Sequence, residues 1–216
     1  MNHHATLAVL ASVPTMNPIV HIVNDDEAIR DALGFLLDVQ GIAHQSWADA
    51  EHFLLDYRDS MRGCVLLDVR MNGMTGQECH DLLLQRGCTM PVIFLTGHGD
   101  VPMAVEALRA GASHFIEKPP QEAQLLAAVH EALQRDAVQQ HQIDGQRAMQ
   151  ARIDQLSPRE REVMQLILDG RLNKQIADEL DISMRTVEVH RANIFDKMGV
   201  RSAVELAGML ARALPA

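Results

Sequence analysis

The chain has 216 residues, of which 47% are hydrophobic, 22% charged and 3% aromatic, a composition typical of globular proteins and unlike that of disordered or collagen-like chains. No apolar run approaches the roughly 18 residues that a membrane-spanning helix needs, so the sequence predicts no transmembrane helix. The net charge of −10 argues at first against a nucleic-acid partner, because binding to phosphates depends on Lys and Arg.

The acidic excess lies in only one part of the chain. Residues 1–150 contain 9 Lys and Arg against 19 Asp and Glu, whereas residues 151–216 contain 10 of each class. We therefore expect two domains of different character, and the charge of the whole chain says little about the partner of the second.

The N-terminus and the cysteines indicate the cellular compartment of the protein. Residues 1–16 lack the basic segment of a signal peptide and are expected to form a flexible extension. The three cysteines have no metal-ligand spacing and are odd in number, which argues against a disulfide framework and a zinc site. We expect a cytoplasmic protein.

From Pro18 to Leu133 short apolar runs alternate with helical patterns. Five strands are predicted, at Ile19 to Val23, Ala43 to Trp47, Cys64 to Val69, Pro91 to Leu95 and His114 to Glu117. Each is followed by a helical pattern, at Ile29 to Gln40, Ala50 to Tyr57, Gly76 to Gln85, Val101 to Ala110 and Gln121 to Leu133. Continuous apolar strands suit a parallel sheet that is covered on both faces. The predicted fold is therefore a doubly wound α/β domain with a five-stranded parallel sheet.

Chemically active side chains follow four of the predicted strands. They are Asn24, Asp25 and Asp26 after the first strand, Asp68 at the third, Thr96 at the fourth and Lys118 at the fifth. The carboxyl ends of parallel strands meet at one edge of the sheet, where doubly wound proteins bind ligands. Clustered carboxylates repel each other unless a hard cation lies between them, and Mg²⁺ is the usual one. A carboxylate beside Mg²⁺ and Lys is suited to attack a phosphoryl group.

Several stretches of the chain resemble one family. They are IVNDDEAIR, VLLDVRMNGMTG, FLTGHGDVPMAVEALRAGA, HFIEKP, SPREREVMQLILDG and TVEVHRANIFDKMG. These stretches are similar to those of two-component response regulators of the FixJ branch, in which a receiver domain precedes a LuxR-type helix-turn-helix domain. The resemblance extends from about Pro18 to Leu214.

The resemblance implies a role for each residue at the strand ends. Asp68 would accept the phosphoryl group, and Lys118 would contact that group. The bond between Lys118 and Pro119 would be cis. Asp25 and the backbone carbonyl of Arg70 would hold Mg²⁺ together with Asp68. Thr96 and Phe115 would form the pair of residues that switches conformation.

The chain departs from the family pattern at three places. Asn24 stands where the family has the first acid of a pair, so it would reach Mg²⁺ only weakly, through a water. Asp26 is a possible compensating ligand. Asn72 and Pro120 occupy positions where the family usually has Pro and Phe, and we expect these changes to affect loop geometry more than chemistry.

Residues 134–152 are polar and rich in Gln, with one Gly and no Pro. Such a composition favours a helix with few core residues. The sequence therefore predicts an N-terminal extension at 1–16, a receiver domain at 17–133, a helical linker at 134–152 and a DNA-binding domain at 153–216.

The C-terminal part is predicted to be all helical. Ser157 precedes Pro158 and stands three residues before Glu160, the pattern of a capping box. Asn173 is predicted to cap a second helix and Ser183 a third, which ends at Gly199. A fourth helix is predicted from Ala203 to Arg212. The second and third helices, separated by about three residues, have the spacing of a helix-turn-helix.

The third helix of this domain is predicted to enter the major groove of DNA. We expect contacts to bases from Glu188, Val189 and Ala192, since Glu accepts a hydrogen bond from cytosine and apolar groups meet the thymine methyl. We expect contacts to phosphates from Lys174, Arg185, Thr186, Arg191, Lys197 and Arg201.

Together, these expectations predict a phosphorylation-dependent, DNA-binding transcriptional regulator that is not an enzyme. Its expected partners are a sensor histidine kinase, double-stranded DNA and RNA polymerase, and it would form a homodimer when phosphorylated. Two alternatives stay open. A regulator that works without phosphorylation is favoured by Asn24, whereas a metal-dependent phosphohydrolase is disfavoured because position 70 is Arg and not a second acid.

Overall fold

The computed structural model describes residues 17–97 and 111–213, with side chains up to residue 211. The chain divides into two compact units, residues 1–139 and 140–216, each of which is described by itself below. In the described ranges, no helix combines the length and the apolar character that crossing a membrane requires.

The first unit contains a five-stranded sheet in which every neighbouring pair is parallel. Its strands are β1 (Ile19–Val23), β2 (His44–Trp47), β3 (Gly63–Asp68), β4 (Val92–Thr96) and β5 (His114–Glu117). The order across the sheet is β2-β1-β3-β4-β5. The chain therefore moves to one side of β1 and then returns to the other side, which creates a switch point between β1 and β3. The predicted fold class is confirmed.

Helices follow β1, β2, β3 and β5, as the sequence pattern predicts. They are α1 (Glu27–Val39), α2 (Ala50–Asp56), α3 (Gly76–Gln85) and α4 (Glu122–Asp154). The predicted helix from Val101 to Ala110 and the predicted extension at 1–16 lie outside the described residues.

The sheet is buried on both faces, as its apolar strands require. Val65 and Leu67 of β3 pack into one core together with Phe53 of α2. Cys64 and Leu66 of the same strand point to the opposite face and pack with residues of α1 and α4. Because side chains alternate along a strand, β3 contributes to both cores and places its last residue, Asp68, at the sheet edge.

The helix α4 continues without interruption through the Gln-rich stretch. Arg62, before β3, is bound to Asp136 of α4 by a buried ion pair with an N–O distance of 2.9 Å, and the Arg62 Nε also donates to the same carboxylate at 3.0 Å. A guanidinium that grips a carboxylate with two nitrogens fixes the position of both groups. Asp136 is thereby held against the sheet.

The second unit contains the end of α4 and four further helices among the described residues. They are α5 (Pro158–Leu168), α6 (Asn173–Leu180), α7 (Met184–Met198) and α8 (Ala203–Ala213). Their core includes Val163, Ile176, Val187, Ile194 and Leu206, all fully buried. The helix-turn-helix is α6 and α7, joined through Asp181, which adopts a left-handed conformation with φ of 52°.

The predicted caps are present at two of the three helices. Ser157 accepts from Glu160 N at the start of α5, and the Glu160 carboxylate accepts from Ser157 N in return. Ser183 caps α7 by accepting from Thr186 N at 3.1 Å. The prediction for Asn173 is wrong: Asn173 is already helical and Leu172 is the N-cap residue. Leu has no side-chain acceptor for the N–H groups of the first helical turn. The Leu172 N–H itself donates to Gln175 Oε1 at 2.8 Å.

Candidate functional site

The register of the sheet brings the predicted site residues to one edge. Val23 pairs with Leu67, so Asn24 follows β1 beside the end of β3. Asp68 pairs with Leu95, and Thr96 pairs with Glu117. The site therefore lies at the carboxyl ends of β1, β3, β4 and β5, next to the switch point.

Asp68 is a buried carboxylate that is bound to a lysine. It is 5% exposed, and its Oδ2 accepts from Lys118 Nζ at 2.7 Å. Its other oxygen has a longer contact, 3.4 Å, with Arg70 N. The ammonium stabilises negative charge on Asp68, and later on any group attached to it, because little water screens the pair.

The backbone also ties Lys118 to Thr96. Lys118 N donates to Thr96 O at 2.6 Å, which holds the ends of β4 and β5 together before the Lys118–Pro119 bond, which is cis. Thr96 is 2% exposed. Phe115 is half-buried, with its ring centroid 6.4 Å from that of Phe94. Thr96 and Phe115, the predicted switch pair, thus lie on β4 and β5, the two strands whose ends this hydrogen bond joins.

The start of α3 lies directly against the backbone of Asp68. A Cβ on Gly76 would be 2.1 Å from Asp68 O, so only glycine fits there without movement of the backbone. Thr75 caps α3 in a capping box with Glu78, and hydrogen bonds from Thr75 lower the pKa of Glu78. The backbone of Asp68 is therefore packed tightly against the start of α3.

Asn24 is fully buried, and its amide orientation is determined by its neighbours. Its Oδ1 accepts from Asp26 N at 2.9 Å, so the NH₂ group must point the other way. That Nδ2 has no hydrogen-bond partner among the described residues. The Oδ1 that was expected to reach a metal-bound water thus already accepts one hydrogen bond, and a buried donor is left without a partner among the described residues.

The Asp26 side chain caps a helix. Its Oδ1 accepts from Ala28 N at 2.9 Å and from Ile29 N at 3.4 Å, which makes it the N-cap of α1. A carboxylate that caps a helix is not free to turn toward the edge of the sheet. Of the three polar residues after β1, Asp25 is left as the acid best suited to a cation.

Asp25 contacts Asn72, a residue that was expected to affect loop geometry more than chemistry. Its Oδ2 accepts from Asn72 N at 3.0 Å and from Asn72 Nδ2 at 2.8 Å. The same loop is tied on its other side, where Glu51 Oε1 accepts from Met74 N at 2.9 Å. Asn72 therefore lies in direct contact with a candidate Mg²⁺ ligand. The signal in the sequence was the departure from the family's Pro, since Pro has no N–H to donate.

The residues at this edge fit Mg²⁺. The Asp25 and Asp68 carboxylates and the main-chain carbonyl expected from Arg70 are oxygen donors, which together with waters are the ligands that Mg²⁺ prefers. Within the described ranges no group of three or more His, Cys, Asp or Glu side chains is placed to hold a metal.

The helix α7 presents a separate polar surface in the second unit. Val187, Ile194 and Met198 are buried, whereas Val189 is 54% exposed. The exposed face contains Arg185, Glu188, Val189, Ala192 and Asn193. Sequence reasoning missed Asn193, although it stands four residues after Val189 and therefore on the same face. Lys174 of α6 and Arg201 after α7 are exposed as well.

Three of the predicted phosphate contacts already have partners inside the protein. Lys197 Nζ is 2.6 Å from Glu160 Oε2, and Glu160 is buried. The hydrogen bond from Lys197 is the main reason why the pKa of Glu160 is lowered. The Arg191 guanidinium lies 5.4 Å above the ring of Phe195, and the Thr186 hydroxyl is 2.8 Å from Ser183 Oγ. Of this set, Lys174, Arg185 and Arg201 are the exposed members.

Comparisons with known proteins match each of the two units to a family. The family described as "Response regulator receiver domain" matches residues 20–130, and that described as "Bacterial regulatory proteins, luxR family" matches residues 154–210. The C4-dicarboxylate transport transcriptional regulatory protein DctR of Rhodobacter capsulatus is 46% identical over 90% of this chain and 100% of its own. The transcriptional regulatory protein FixJ of Azorhizobium caulinodans is 46% identical over 88% of this chain and 90% of its own.

A solved structure agrees with these matches. The response regulator StyR is 38% identical and has a TM-score of 0.86, with 91% of this chain and 100% of that chain covered. The chain therefore belongs to the response regulators that combine a receiver domain with a LuxR-type DNA-binding domain. Within that family it is a transcriptional regulator of the FixJ type, and phosphorylation-dependent control fits the family. Receiver domains generally bind Mg²⁺ at the phosphorylation site.

Proposed function

We propose that phosphoryl transfer from a sensor histidine kinase to Asp68 controls the binding of this regulator to DNA. The observation that carries the proposal is the buried carboxylate of Asp68, 2.7 Å from the ammonium of Lys118 at the carboxyl edge of the sheet. The proposed receiver domain is residues 17–133, joined by the helical segment 134–152 to a DNA-binding domain at 153–216.

The chemistry follows from the residues at this edge. An Asp68 oxygen attacks the phosphorus of a phosphohistidine, the P–N bond breaks, and the kinase histidine leaves with the bond electrons and takes up a proton. Lys118 offsets the negative charge that develops on the phosphoryl oxygens. The burial of Asp68 strengthens this interaction, because less water competes for the ammonium.

The proposed Mg²⁺ ligands are Asp25, Asp68 and the carbonyl oxygen of Arg70. When bound, Mg²⁺ neutralises charge on the phosphoryl oxygens. Asn24, through a water, and Asp26 are weaker candidates, because Asn24 Oδ1 accepts from Asp26 N and Asp26 caps α1.

The proposed switch connects the phosphoryl group to a protein surface. The Thr96 hydroxyl moves to bind the new anion and Phe115 turns inward, which changes the surface that includes β5. The phosphoryl group acts only through its preference for one of two states that exist already, so the inactive state must dominate without it. The receivers then form a homodimer.

On DNA, α7 is proposed to lie in the major groove. Glu188, Val189 and Ala192 would contact bases, and the exposed cations Lys174, Arg185 and Arg201 would contact phosphates. Thr186, Arg191 and Lys197 remain weaker candidates because each has a partner within the protein. Asn193, which is exposed on the same face of α7, is added to the proposed DNA-binding surface.

Two DNA-binding domains would bind two half-sites about one helical turn apart. The exposed apolar residues of α8 support a dimer contact on that helix. Val204 is 82% exposed, and Ala207 and Ala211 follow it on the same face.

RNA polymerase is a further proposed partner. The proposed location of the protein is the cytoplasm, where its DNA partner lies.

Treatment with acetyl phosphate and Mg²⁺ tests the proposal. The wild-type protein should gain the mass of one phosphoryl group, elute as a dimer in gel filtration and bind DNA more tightly. Asp68→Asn should show none of these changes. Asp59→Asn, which alters an exposed carboxylate away from the site, is the matched control and should behave as wild type.

Two results would contradict the proposal. If Asp68→Asn dimerises and binds DNA as the treated wild type does, Asp68 is not the switch, and a regulator independent of phosphorylation is favoured. If the wild type instead turns over a generic phosphate ester steadily, the phosphohydrolase is favoured.

A further inference from the structure

The loop that follows Asp68 is held between two carboxylates from other parts of the chain. Asn72 N and Nδ2 donate to Asp25 Oδ2 at 3.0 and 2.8 Å. On the other side of Gly73, Met74 N donates to Glu51 Oε1 at 2.9 Å. The loop therefore has one attachment to the proposed Mg²⁺ site and one attachment outside it.

Both bonds from Asn72 end on the same oxygen. A carboxylate oxygen has two lone pairs in its plane, and the two N–H groups of Asn72 are enough to occupy both. An oxygen in this state has no lone pair left for a cation. A ligand that binds through Asp25 Oδ2 must first displace at least one of the two donors.

The neighbouring residues are less suited to a cation than Asp25. Asn24 carries no charge and its Oδ1 accepts from Asp26 N at 2.9 Å, while Asp26 Oδ1 caps α1. The segment after β1 thus contributes a single suitable carboxylate, and Asn72 occupies one of its two oxygens.

We infer that Asn72 is a positioning residue that holds Asp25 in the metal-free protein and lowers its affinity for Mg²⁺, because its two donors occupy Oδ2 and leave only Oδ1 of the carboxylate for a cation. The inference rests on the Mg²⁺ site of the proposed function. It gives Asn72 a role opposite to that of a ligand: the residue opposes binding of the metal until Asp25 is released.

Two variants remove the bonds step by step. Asn72→Ala removes the side-chain donor and keeps the backbone N–H, whereas Asn72→Pro removes both donors. Hydrogen bonds to charged groups are worth more than neutral ones, but these bonds are exposed and water replaces them in part. We expect the Kd for Mg²⁺ to fall about threefold in Asn72→Ala and about tenfold in Asn72→Pro, where tenfold corresponds to about 1.4 kcal/mol.

The affinity is measured with Mg²⁺ alone, without a phosphodonor. Isothermal titration calorimetry gives the Kd directly. The fluorescence of Trp47, the single tryptophan, is a second readout, because Trp47 O accepts from Asn24 N at 3.2 Å beside the site. Circular dichroism shows whether each variant is folded, and Asn72→Ala tests the inference even if Asn72→Pro does not fold.

Glu51→Ala is the matched control. It releases the loop at Met74 and leaves the contact between Asn72 and Asp25 in place, so its Kd should equal that of the wild type. If Glu51→Ala tightens Mg²⁺ binding as much as Asn72→Ala does, general loosening of the loop is responsible and the inference is overturned. It is also overturned if Asn72→Ala and a folded Asn72→Pro bind Mg²⁺ as the wild type does, or more weakly.

The outcome for the wild type separates this inference from the proposed function. If the wild type binds Mg²⁺ and Asp25→Asn does not, the site exists and the Asn72 variants test only the competition. If neither the wild type nor any Asn72 variant binds Mg²⁺, the proposed metal site fails and the inference fails with it.

Discussion

The ammonium of Lys118 lies 2.7 Å from Oδ2 of Asp68, so the residue after β5 provides the cation for the carboxylate at the end of β3. Both side chains are largely buried, at 16% and 6% exposure. Because such a pair is poorly screened by water, removal of one partner leaves an uncompensated charge.

Lys118→Met should therefore lower the free energy of unfolding by about 1–3 kcal/mol, since Asp68 keeps only weak contacts for its charge. The same change in an Asp68→Asn background should cost much less. Urea denaturation of the wild type, both single variants and the double variant measures the coupling. Additive effects of the two substitutions would show that the ion pair contributes nothing to stability.

His21 should make stability depend on pH. It is 1% exposed in β1, with ring contacts to Trp47 and Phe53 at 5.2 and 5.8 Å between centroids. Burial lowers its pKa to about 4, despite the opposing effect of the Asp136 carboxylate. Between pH 6.5 and pH 4 the unfolded chain therefore binds a proton that the folded protein does not. The stability contributed by neutral His21 is complete above pH 6.5 and is lost as the pH falls toward 4.

His21→Leu should remove this part of the pH dependence. Relative to the variant, the wild type should lose about 2–3 kcal/mol of unfolding free energy between pH 7 and pH 4. Denaturation with urea at a series of pH values measures the difference. His141→Gln, at an exposed position of α4, is the control and should follow the wild type. Parallel pH profiles for the wild type and His21→Leu would contradict the assignment.

Lys197 and Lys174 should have different effects although both were predicted to contact phosphates. Lys197→Met leaves the buried Glu160 without its ammonium partner, so the pKa of Glu160 should rise and the unfolding free energy should fall by about 1–2 kcal/mol. Lys174→Met should leave the stability unchanged and weaken binding to a duplex of random sequence, with a salt slope smaller by about 1. Thermal melting and fluorescence anisotropy distinguish the two effects. A melting temperature that drops equally in both variants would contradict this division.

Glu188 should determine sequence preference and contribute little to overall affinity. Its carboxylate lies on the exposed face of α7 and is suited to accept a hydrogen bond from cytosine N4. Selection of bound duplexes from a random pool should show a preferred cytosine for the phosphorylated wild type. Glu188→Ala should lose about 1–3 kcal/mol of discrimination at that position. Identical base preferences in both proteins would remove Glu188 from the contacts to bases.

Sequence periodicity predicted the sheet well because buried parallel strands are short apolar runs between helices. All five predicted strands are present, with bounds shifted by no more than one residue. The helix start at α6 was predicted less well. Asn173 has the right chemistry for a cap, but the helix begins one residue earlier and Leu172 occupies the cap position, because cap positions depend on local backbone geometry that residue type alone does not specify.

The sequence by itself determined the class of fold, the two-part organisation and the edge of the sheet at which Asp68 and Lys118 meet, since these follow from hydrophobic periodicity and strand order. Only the tertiary structure decided which partner each polar group has. Asn72 and Asp25 are 47 residues apart along the chain, and Lys197 and Glu160 are 37 apart. Hydrogen bonds and ion pairs form over about 3 Å, so their partners are chosen by the packed fold and not by spacing in the sequence.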